Sequence, residues 1–166
     1  MVKSFVKVIA VMAVTAFSGK AQVHDHALGL RGGAGNLGRG GEISYQHGLG
    51  DANRLELDLG WSNYNRNNLN YSHTAIVGMY HWVWNIEGDF NWYAGGGARI
   101  GLYQNDVFSE DNGMTLGFGG QLGIEYDFNN LGAPLLLSLD TRPMFGWLGG
   151  NAGMGYGASF GLRYTF

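Results

Sequence analysis

The stretch Arg54-Leu55-Glu56-Leu57-Asp58-Leu59-Gly60-Trp61 alternates between two kinds of residue. Every odd position carries a large apolar side chain, and every even position carries a charged residue or glycine. Successive side chains of a β-strand point to opposite faces of the sheet, so this period of two predicts a strand with one apolar and one polar face. A helix would need apolar residues every three or four positions, and the stretch has no such period.

The same alternation recurs along the rest of the chain. Clear cases run from Leu116 to Phe128 and from Tyr156 to Phe166, and weaker ones lie at 28–31, 42–46, 90–102 and 135–142. No helical period follows residue 21, so we predict about eight strands in one all-β unit. Short turns are expected at 48–53, 87–89 and 129–134, Gly-rich turns at 34–40 and 148–154, and longer polar loops at 62–72 and 104–114.

The segment from Thr74 to Ile86 alternates least clearly. We expect its apolar face to carry Ile76, Tyr80, Trp82 and Trp84, with His81 on the other face. The boundaries of this strand are the hardest to place from the sequence.

Composition excludes several classes of protein. The 166 residues include 30 Gly, 2 Pro and no Cys, and only 14% of them are charged. The glycines keep no triplet period, which excludes collagen, and a hydrophobic fraction of 45% argues against disorder. Without cysteine the chain has no disulfide framework, no thiolate nucleophile and no Cys-based zinc site.

Residues 1–21 have the pattern of a signal peptide. Lys3 and Lys7 precede an apolar run from Val8 to Phe17, and the small residues Gly19 and Ala21 suit a cleavage site. The apolar run is too short to cross a membrane as a helix, which needs about 20 residues. Residues 22–166 are then the mature domain, with seven arginines, no lysine and 13 acids, a net charge of −6. This charge argues against nucleic acid as a partner.

Alternation alone does not say which face is inside, because a soluble barrel alternates in the same way. The polar face here is rich in glycine (Gly95, Gly97, Gly117, Gly119, Gly123, Gly157, Gly161), which suits a crowded bore better than a solvated surface. Aromatic residues also concentrate towards the strand ends, as the two interfaces of a bilayer require. Trp84, Trp92 and Tyr126 (with Phe128 and Phe166) fall at the short-turn end, and Trp61, Tyr103 and Trp147 (with Tyr156) fall at the other. We therefore predict an eight-stranded antiparallel up-and-down transmembrane β-barrel.

The sequence resembles a known family at this point. The signal peptide, the strands and the ending Phe160-Gly161-Leu162-Arg163-Tyr164-Thr165-Phe166 resemble small bacterial outer-membrane β-barrels of the OmpA-transmembrane-domain/OmpX type, from about His26 to Phe166. The resemblance implies that Phe160, Leu162, Tyr164 and Phe166 form the signal that the outer-membrane assembly machinery reads. It also implies a location in the outer membrane of a Gram-negative envelope, with both termini periplasmic.

The face opposite the apolar one carries charges of both signs. Buried charges are tolerated when they are paired and hydrogen-bonded, so we predict an ionic network that fills the bore. An alternative is a narrow gated pore in which the pairs exchange partners. Replacing Arg99 or Arg163 with leucine is expected to leave carboxylates unpaired and to impair folding. The predicted network consists of Arg31, Glu42, Arg54, Glu56, Asp58, Arg99, Glu125, Asp127, Asp140, Arg142 and Arg163.

Residues suited to other chemistry are few. His24 and His26 lie two residues apart, but two ligands are too few for a metal site, and a polar tail is the simpler interpretation. His47, His73 and His81 are scattered and suit the membrane interface or the bore. A second alternative is a lipid-A-modifying acyl hydrolase or acyltransferase, for which Ser62, Ser72, His73, Asp106 and Glu110 are the available residues. The histidine that the deacylase motif places two residues before its serine is missing before Ser62. Glycine clusters such as Gly95-Gly96-Gly97 lie inside strands with no following helix, which argues against a phosphate loop.

The sequence thus predicts an integral outer-membrane barrel with a plugged polar interior and a structural or surface-interaction role. We predict no catalytic residue, cofactor or metal. The expected partners are outer-membrane lipid with lipopolysaccharide, and the assembly machinery, and the chain is expected to be a monomer.

Overall fold

A computed structural model describes residues 23–35, 38–66, 69–105, 113–148, 151–155 and 157–166, and the predicted signal peptide lies outside these residues. The first strands along the chain are β1 (His26–Gly35), β2 (Gly38–Gly48), β3 (Asn53–Arg66), β4 (Leu69–Glu87) and β5 (Phe90–Asn105). They are followed by β6 (Gly113–Asp127), a turn of 3-10 helix (Asn129–Leu131), β7 (Leu135–Thr141), β8 (Met144–Leu148), β9 (Asn151–Gly155) and β10 (Gly157–Thr165). No helix among the described residues is long and apolar enough to cross a membrane.

The strands form a closed antiparallel barrel. Each of the first six strands pairs with its neighbour in sequence, and β10 returns to pair with β1. Both β7 and β8 pair with β6, so they are two parts of one barrel strand interrupted at Arg142 and Pro143. In the same way β9 pairs with β8, and β10 pairs with β7. The ten segments therefore make eight barrel strands, which confirms the predicted fold.

The barrel has two different ends. We call "loop end" the end where β1 leads to β2, β3 to β4, β5 to β6 and β8 to β9, and "turn end" the opposite end, which holds His26 and Phe166. At the turn end Gly88 adopts a φ of 55° in the tight turn between β4 and β5, a conformation that favours glycine. The Asn85 side chain donates a hydrogen bond to the Gly88 carbonyl at 2.7 Å and holds this turn.

The predicted polar loop at 62–72 is wrong for most of its length. β3 continues to Arg66 and β4 begins at Leu69, and the ladder runs without a break from Asn63 opposite Ser72 to Arg66 opposite Leu69. Backbone hydrogen bonds build an antiparallel ladder whatever the side chains are. The alternation in the sequence therefore ends before the strands do. The predicted loop at 104–114 is shorter for the same reason, since β5 ends at Asn105 and β6 begins at Gly113.

Apolar side chains cover the outside of the barrel and charged ones fill the inside. Leu30 is 65% exposed and Leu102 is 60% exposed, whereas Glu56 and Arg163 are completely buried. In the segment 74–86, Ile76 and Trp82 face outward and His81 is buried, as expected. This strand also turns Ala75, Val77, Met79 and Val83 inward, so part of the interior is apolar.

Glycine allows the wall to curve as tightly as a narrow barrel requires. A Cβ atom built on Gly97, which faces the bore, would lie 2.0 Å from the Gly78 carbonyl oxygen of the adjacent strand. The same atom built on Gly96, which faces outward, would have no neighbour closer than 3.7 Å. The two adjacent glycines of β5 therefore differ in the space available for a side chain.

We expect Gly97→Ala to lower the free energy of unfolding by about 1–3 kcal/mol, because the added methyl group displaces backbone. The matched control Gly96→Ala should change it by less than about 0.5 kcal/mol. Urea unfolding of both refolded variants, followed by tryptophan fluorescence, measures the difference. Equal stability of the two variants would show that the wall relaxes around the methyl group.

Candidate functional site

Glu56 lies at the centre of the bore and is bound from four directions. Its carboxylate accepts hydrogen bonds from Arg163 at 2.8 Å, Arg142 at 3.0 Å, Gln46 at 2.6 Å and Gln121 at 3.2 Å. These residues come from β3, β10, the break between β7 and β8, β2 and β6. A single buried carboxylate on β3 thus links residues from four other strands of the barrel wall.

Arg163 is completely buried and has every part of its guanidinium engaged. Besides Glu56, it donates to the Ser44 hydroxyl at 3.0 Å and to the Ser138 hydroxyl at 2.9 Å. The planar guanidinium spans β2, β3 and β7 in this way, which an ammonium on a flexible stem would not do. Gly161 makes room for it, since a Cβ atom there would lie 3.0 Å from Arg163 Nη1.

Arg31 and Arg142 bind the remaining carboxylates nearer the loop end. Arg31 donates to Asp58 at 3.1 Å and to Asp140 at 2.5 Å, and it also binds Glu42. Arg142 binds Asp58 as well and lies 3.3 Å from Glu42. Glu42, Asp58 and Asp140 are therefore each bound by at least one of the two arginines. We call the residues Arg31, Glu42, Gln46, Glu56, Asp58, Gln121, Asp140, Arg142 and Arg163 the central network.

A separate ion pair lies between the central network and the turn end. Arg54 and Glu125 pair through both terminal guanidinium nitrogens: Nη1 lies 3.0 Å from Oε1, and Nη2 lies 2.7 Å from Oε2. The Arg54 guanidinium carbon lies 4.7 Å from the centre of the Tyr93 ring, an arrangement that adds a cation–π attraction. The Tyr93 hydroxyl in turn donates to Asp140 at 2.9 Å, so this pair is linked to the central network.

Two residues predicted for the network lie apart from it. Asp127 is at the turn end, where it accepts hydrogen bonds from His24 at 2.6 Å and from Asn129. Arg99 is towards the loop end, and within the described part of the chain no carboxylate lies within 4 Å of it. It donates instead to His73 at 2.6 Å. The other nine predicted residues are brought together in the bore.

Sequence reasoning missed the uncharged members of the interior. Gln46, Gln121, Tyr93, Ser44 and Ser138 are all buried and hydrogen-bonded to the charged residues. The available signal was strand parity, since each lies an even number of residues from a charged residue on its own strand. Polar residues that share strand parity with a charged residue could therefore have been predicted as members of the interior network.

The segment at 23–25 packs against the turn end and does not leave the barrel as a tail. Val23 packs against Val83 and Tyr93 in the interior, and His24 binds Asp127. His26 instead forms a hydrogen bond with the Tyr45 hydroxyl at 2.9 Å. The two histidines thus engage different partners, and the described residues contain no group of three or more His, Asp or Glu suited to a metal.

The residues considered for acyl transfer do not assemble into a catalytic pair within the described structure. Ser62 and His73 lie opposite each other on β3 and β4, facing the bore. Both nitrogens of the His73 ring are engaged, Nδ1 by Arg99 and Nε2 by the Thr115 hydroxyl at 3.1 Å. Asp106 and Glu110 lie outside the described residues, so the structure gives them no role.

Aromatic rings gather at the turn end of the outer surface. Trp84 stacks on Trp92 with ring centres 4.3 Å apart, and Tyr126 packs against Phe128 at 4.7 Å. At the other end Trp61 is 51% exposed, while Tyr156 and the side chains of Tyr103 and Trp147 lie outside the described residues. Phe160, Leu162, Tyr164 and Phe166 all face outward on the last strand and its end.

No protein-family model matches this sequence, and no curated protein matches it. Solved structures with the same fold were found. Neisserial surface protein A (NspA) superposes with a TM-score of 0.59 at 15% identity, over 85% of this chain and 94% of that one. The N-terminal β-barrel domain of Pseudomonas aeruginosa OprF gives a TM-score of 0.60 at 16% identity, over 87% of this chain and 100% of the domain. Ail, the attachment invasion locus protein of Yersinia pestis, gives 0.53 at 12% identity, over 85% and 96%.

These likenesses establish the fold. The chain has the architecture of small eight-stranded outer-membrane β-barrels, as the resemblance to the OmpA/OmpX type implies. The central network, the apolar outer surface and the packing of Val23 and His24 at the turn end are properties of this chain itself.

Proposed function

We propose that this chain is an integral protein of the outer membrane of a Gram-negative envelope, with a closed bore and a structural or surface-interaction role. The observation that carries the proposal is the inverted distribution of polarity around the barrel wall. Glu56, Asp58 and Arg163 are at most 1% exposed, while Leu30, Leu102 and Phe160 are more than half exposed. Water would favour the opposite arrangement, whereas lipid against the outer face favours this one.

The outer surface is too apolar and too continuous for a monomer in water. Soluble monomers rarely expose apolar patches larger than a few hundred Å². Here large apolar side chains on every barrel strand point outward: Leu28, Leu30, Ile43, Leu57, Leu59, Ile76, Ile100, Leu102, Leu116, Phe118, Leu122, Ile124, Leu139, Phe160 and Leu162. A bilayer covers such a belt without a protein partner, which supports a monomer with lipid and lipopolysaccharide around it.

The interior supports a bore that does not conduct. The central network and the Arg54–Glu125 pair occupy successive levels of the bore, and Val23 packs below them at the turn end. An eight-stranded barrel has just enough room for side chains. Exchange of partners within the network would be needed before ions could pass.

The orientation of the barrel in the membrane follows from the assembly route that we propose. The last strand ends in Phe166 at the turn end, with Phe160, Leu162 and Tyr164 outward on the same strand. If the outer-membrane assembly machinery reads this strand from the periplasm, both termini lie on the periplasmic side. The loop end then faces the outside of the cell, where a surface interaction would take place.

We expect the mature protein to extract with the outer-membrane fraction and to shift its gel mobility on heating. A closed barrel in mild detergent stays compact in the gel until heat opens it, so the unheated sample should migrate faster. Cell fractionation followed by gels with and without heating measures both properties. Recovery in the soluble fraction without detergent would contradict the proposal.

Two measurements separate the proposed role from the alternatives. A pore should give conductance steps in planar bilayers, and we expect none from this protein. An acyl hydrolase or acyltransferase should change the mass of lipid A when the protein is overexpressed, and we expect the mass spectrum to be unchanged. A gained or lost acyl chain would establish an enzymatic role and overturn ours.

A further inference from the structure

A cavity of about 130 Å³ lies in the bore between the central network and the loop end. Among the residues that line it are Arg31, Glu42, Ser62, His73, Arg99 and Arg142. Since one water molecule needs about 10–15 Å³, the cavity has room for a small polyatomic ion together with several water molecules. Its walls carry three arginines and one glutamate, so the lining has an excess of positive charge.

Arg99 is the source of this excess. The carboxylate of Glu42 is bound by both Arg31 and Arg142, and these two arginines also bind Asp58. Their charges are therefore compensated from the side of the central network. Among the described residues no carboxylate lies within 4 Å of Arg99, although Glu42 attracts it over a longer distance, and its Nε atom is buried without a hydrogen-bond partner. The unpartnered edge of this guanidinium favours a hydrogen-bond acceptor that the described side chains do not supply.

His73 holds Arg99 in place without neutralising it. An arginine has only donors, so His73 Nδ1 must accept the hydrogen bond from Arg99 Nη2 and carries no proton. The proton is then on Nε2, which donates to the Thr115 hydroxyl. The imidazole is neutral in this arrangement and orients the guanidinium through Nη2, which leaves Nη1 free of any hydrogen bond from the described residues.

We propose that Arg99 is the centre of a binding site for a small inorganic oxyanion of the phosphate or sulfate class, inside the loop-end cavity. The planar guanidinium matches two oxygens of such an ion and binds them by charge-assisted hydrogen bonds. The Ser62 residue opposite His73 adds a hydroxyl donor to the same cavity. The ion is free and does not belong to a lipid headgroup, because the Arg99 side chain points into the bore and the lipid is outside the wall.

The test is a titration of the refolded mature protein with inorganic phosphate in a maltoside detergent, at an ionic strength held constant with sodium chloride. Calorimetry gives the affinity, and the side-chain Nε–H resonance of Arg99 in NMR spectra reports the place of binding. We expect Arg99→Gln to weaken binding at least about tenfold, the effect of losing one charge-assisted interaction. Ser62→Leu, which fills the cavity and keeps Arg99, should weaken binding as well.

The matched control is Arg39→Gln, because Arg39 is also near the loop end but is exposed on the outer face. Its affinity for phosphate should stay within about twofold of that of the unmodified protein. Equal loss in Arg39→Gln and Arg99→Gln would overturn the site, as would an unmodified protein that does not bind phosphate. Displacement of the bound phosphate by added lipopolysaccharide would overturn the assignment to a free ion.

Discussion

Replacing Arg163 with leucine is expected to lower the free energy of unfolding by about 3–5 kcal/mol, the cost of leaving a buried charge without its partner. Arg163 is completely buried and binds Glu56 at 2.8 Å, together with the hydroxyls of Ser44 and Ser138. Leucine removes these three interactions at once, and Glu56 then keeps its hydrogen bonds to Arg142, Gln46 and Gln121. Urea unfolding of the refolded barrel measures the loss, and the refolding yield should fall with it.

Arg99→Leu is the matched control, because Arg163 forms an ion pair with Glu56 and Arg99 forms no ion pair with the described residues. The alternation pattern predicts the same effect for both arginines, but in the structure no described carboxylate lies within 4 Å of Arg99, so its removal breaks no ion pair with the described residues. The loss should be about 1 kcal/mol, from the hydrogen bond to His73. Equal losses for the two variants, or a stable Arg163→Leu barrel, would mean that the central network does not stabilise the fold as argued.

Deletion of Phe166 is expected to leave most of the protein unassembled and sensitive to protease in the cell, while the purified chain still refolds in detergent. The ring is 61% exposed, and its contacts are a stack on His26, with centres 5.4 Å apart, and one on Tyr164 at 6.2 Å. Its backbone adds one hydrogen bond, from the Phe166 N–H to the His26 carbonyl at 3.0 Å. We therefore expect only a small loss of stability in the folded barrel, and we attribute the expected effect in the cell to the proposed recognition of Phe166 by the assembly machinery.

The control for this deletion is Phe145→Ala, which removes an aromatic ring of similar exposure from another strand of the outer face. We expect it to insert normally, and Phe166→Trp should restore insertion because it keeps a terminal aromatic ring. Surface labelling and protease treatment of whole cells compare the variants. Full insertion of the deletion variant would refute the assembly-signal assignment.

Strand parity explains why so much of the architecture was predictable. Side chains alternate strictly between the two faces of a strand, so residues such as Leu57 and Asp58 are assigned to opposite sides from the sequence alone. The same rule placed the bore-facing glycines Gly95, Gly97 and Gly123. It failed at 62–72, because a ladder of backbone hydrogen bonds extends beyond the residues that alternate.

The amino-acid sequence by itself determined the strands and the division of their residues between two faces, since both follow from a period that is local to each strand. The glycine-rich polar face and the aromatic strand ends then predicted a closed barrel with the charges inside. Only the tertiary structure decided which charges meet. Parity gives a face but neither the height of a side chain along the bore nor the strand opposite it, because these depend on register and on closure of the wall. That is why Arg163 reaches Glu56, 107 residues away. It is also why Asp127 binds His24 at the turn end and Arg99 faces the cavity without a carboxylate partner among the described residues.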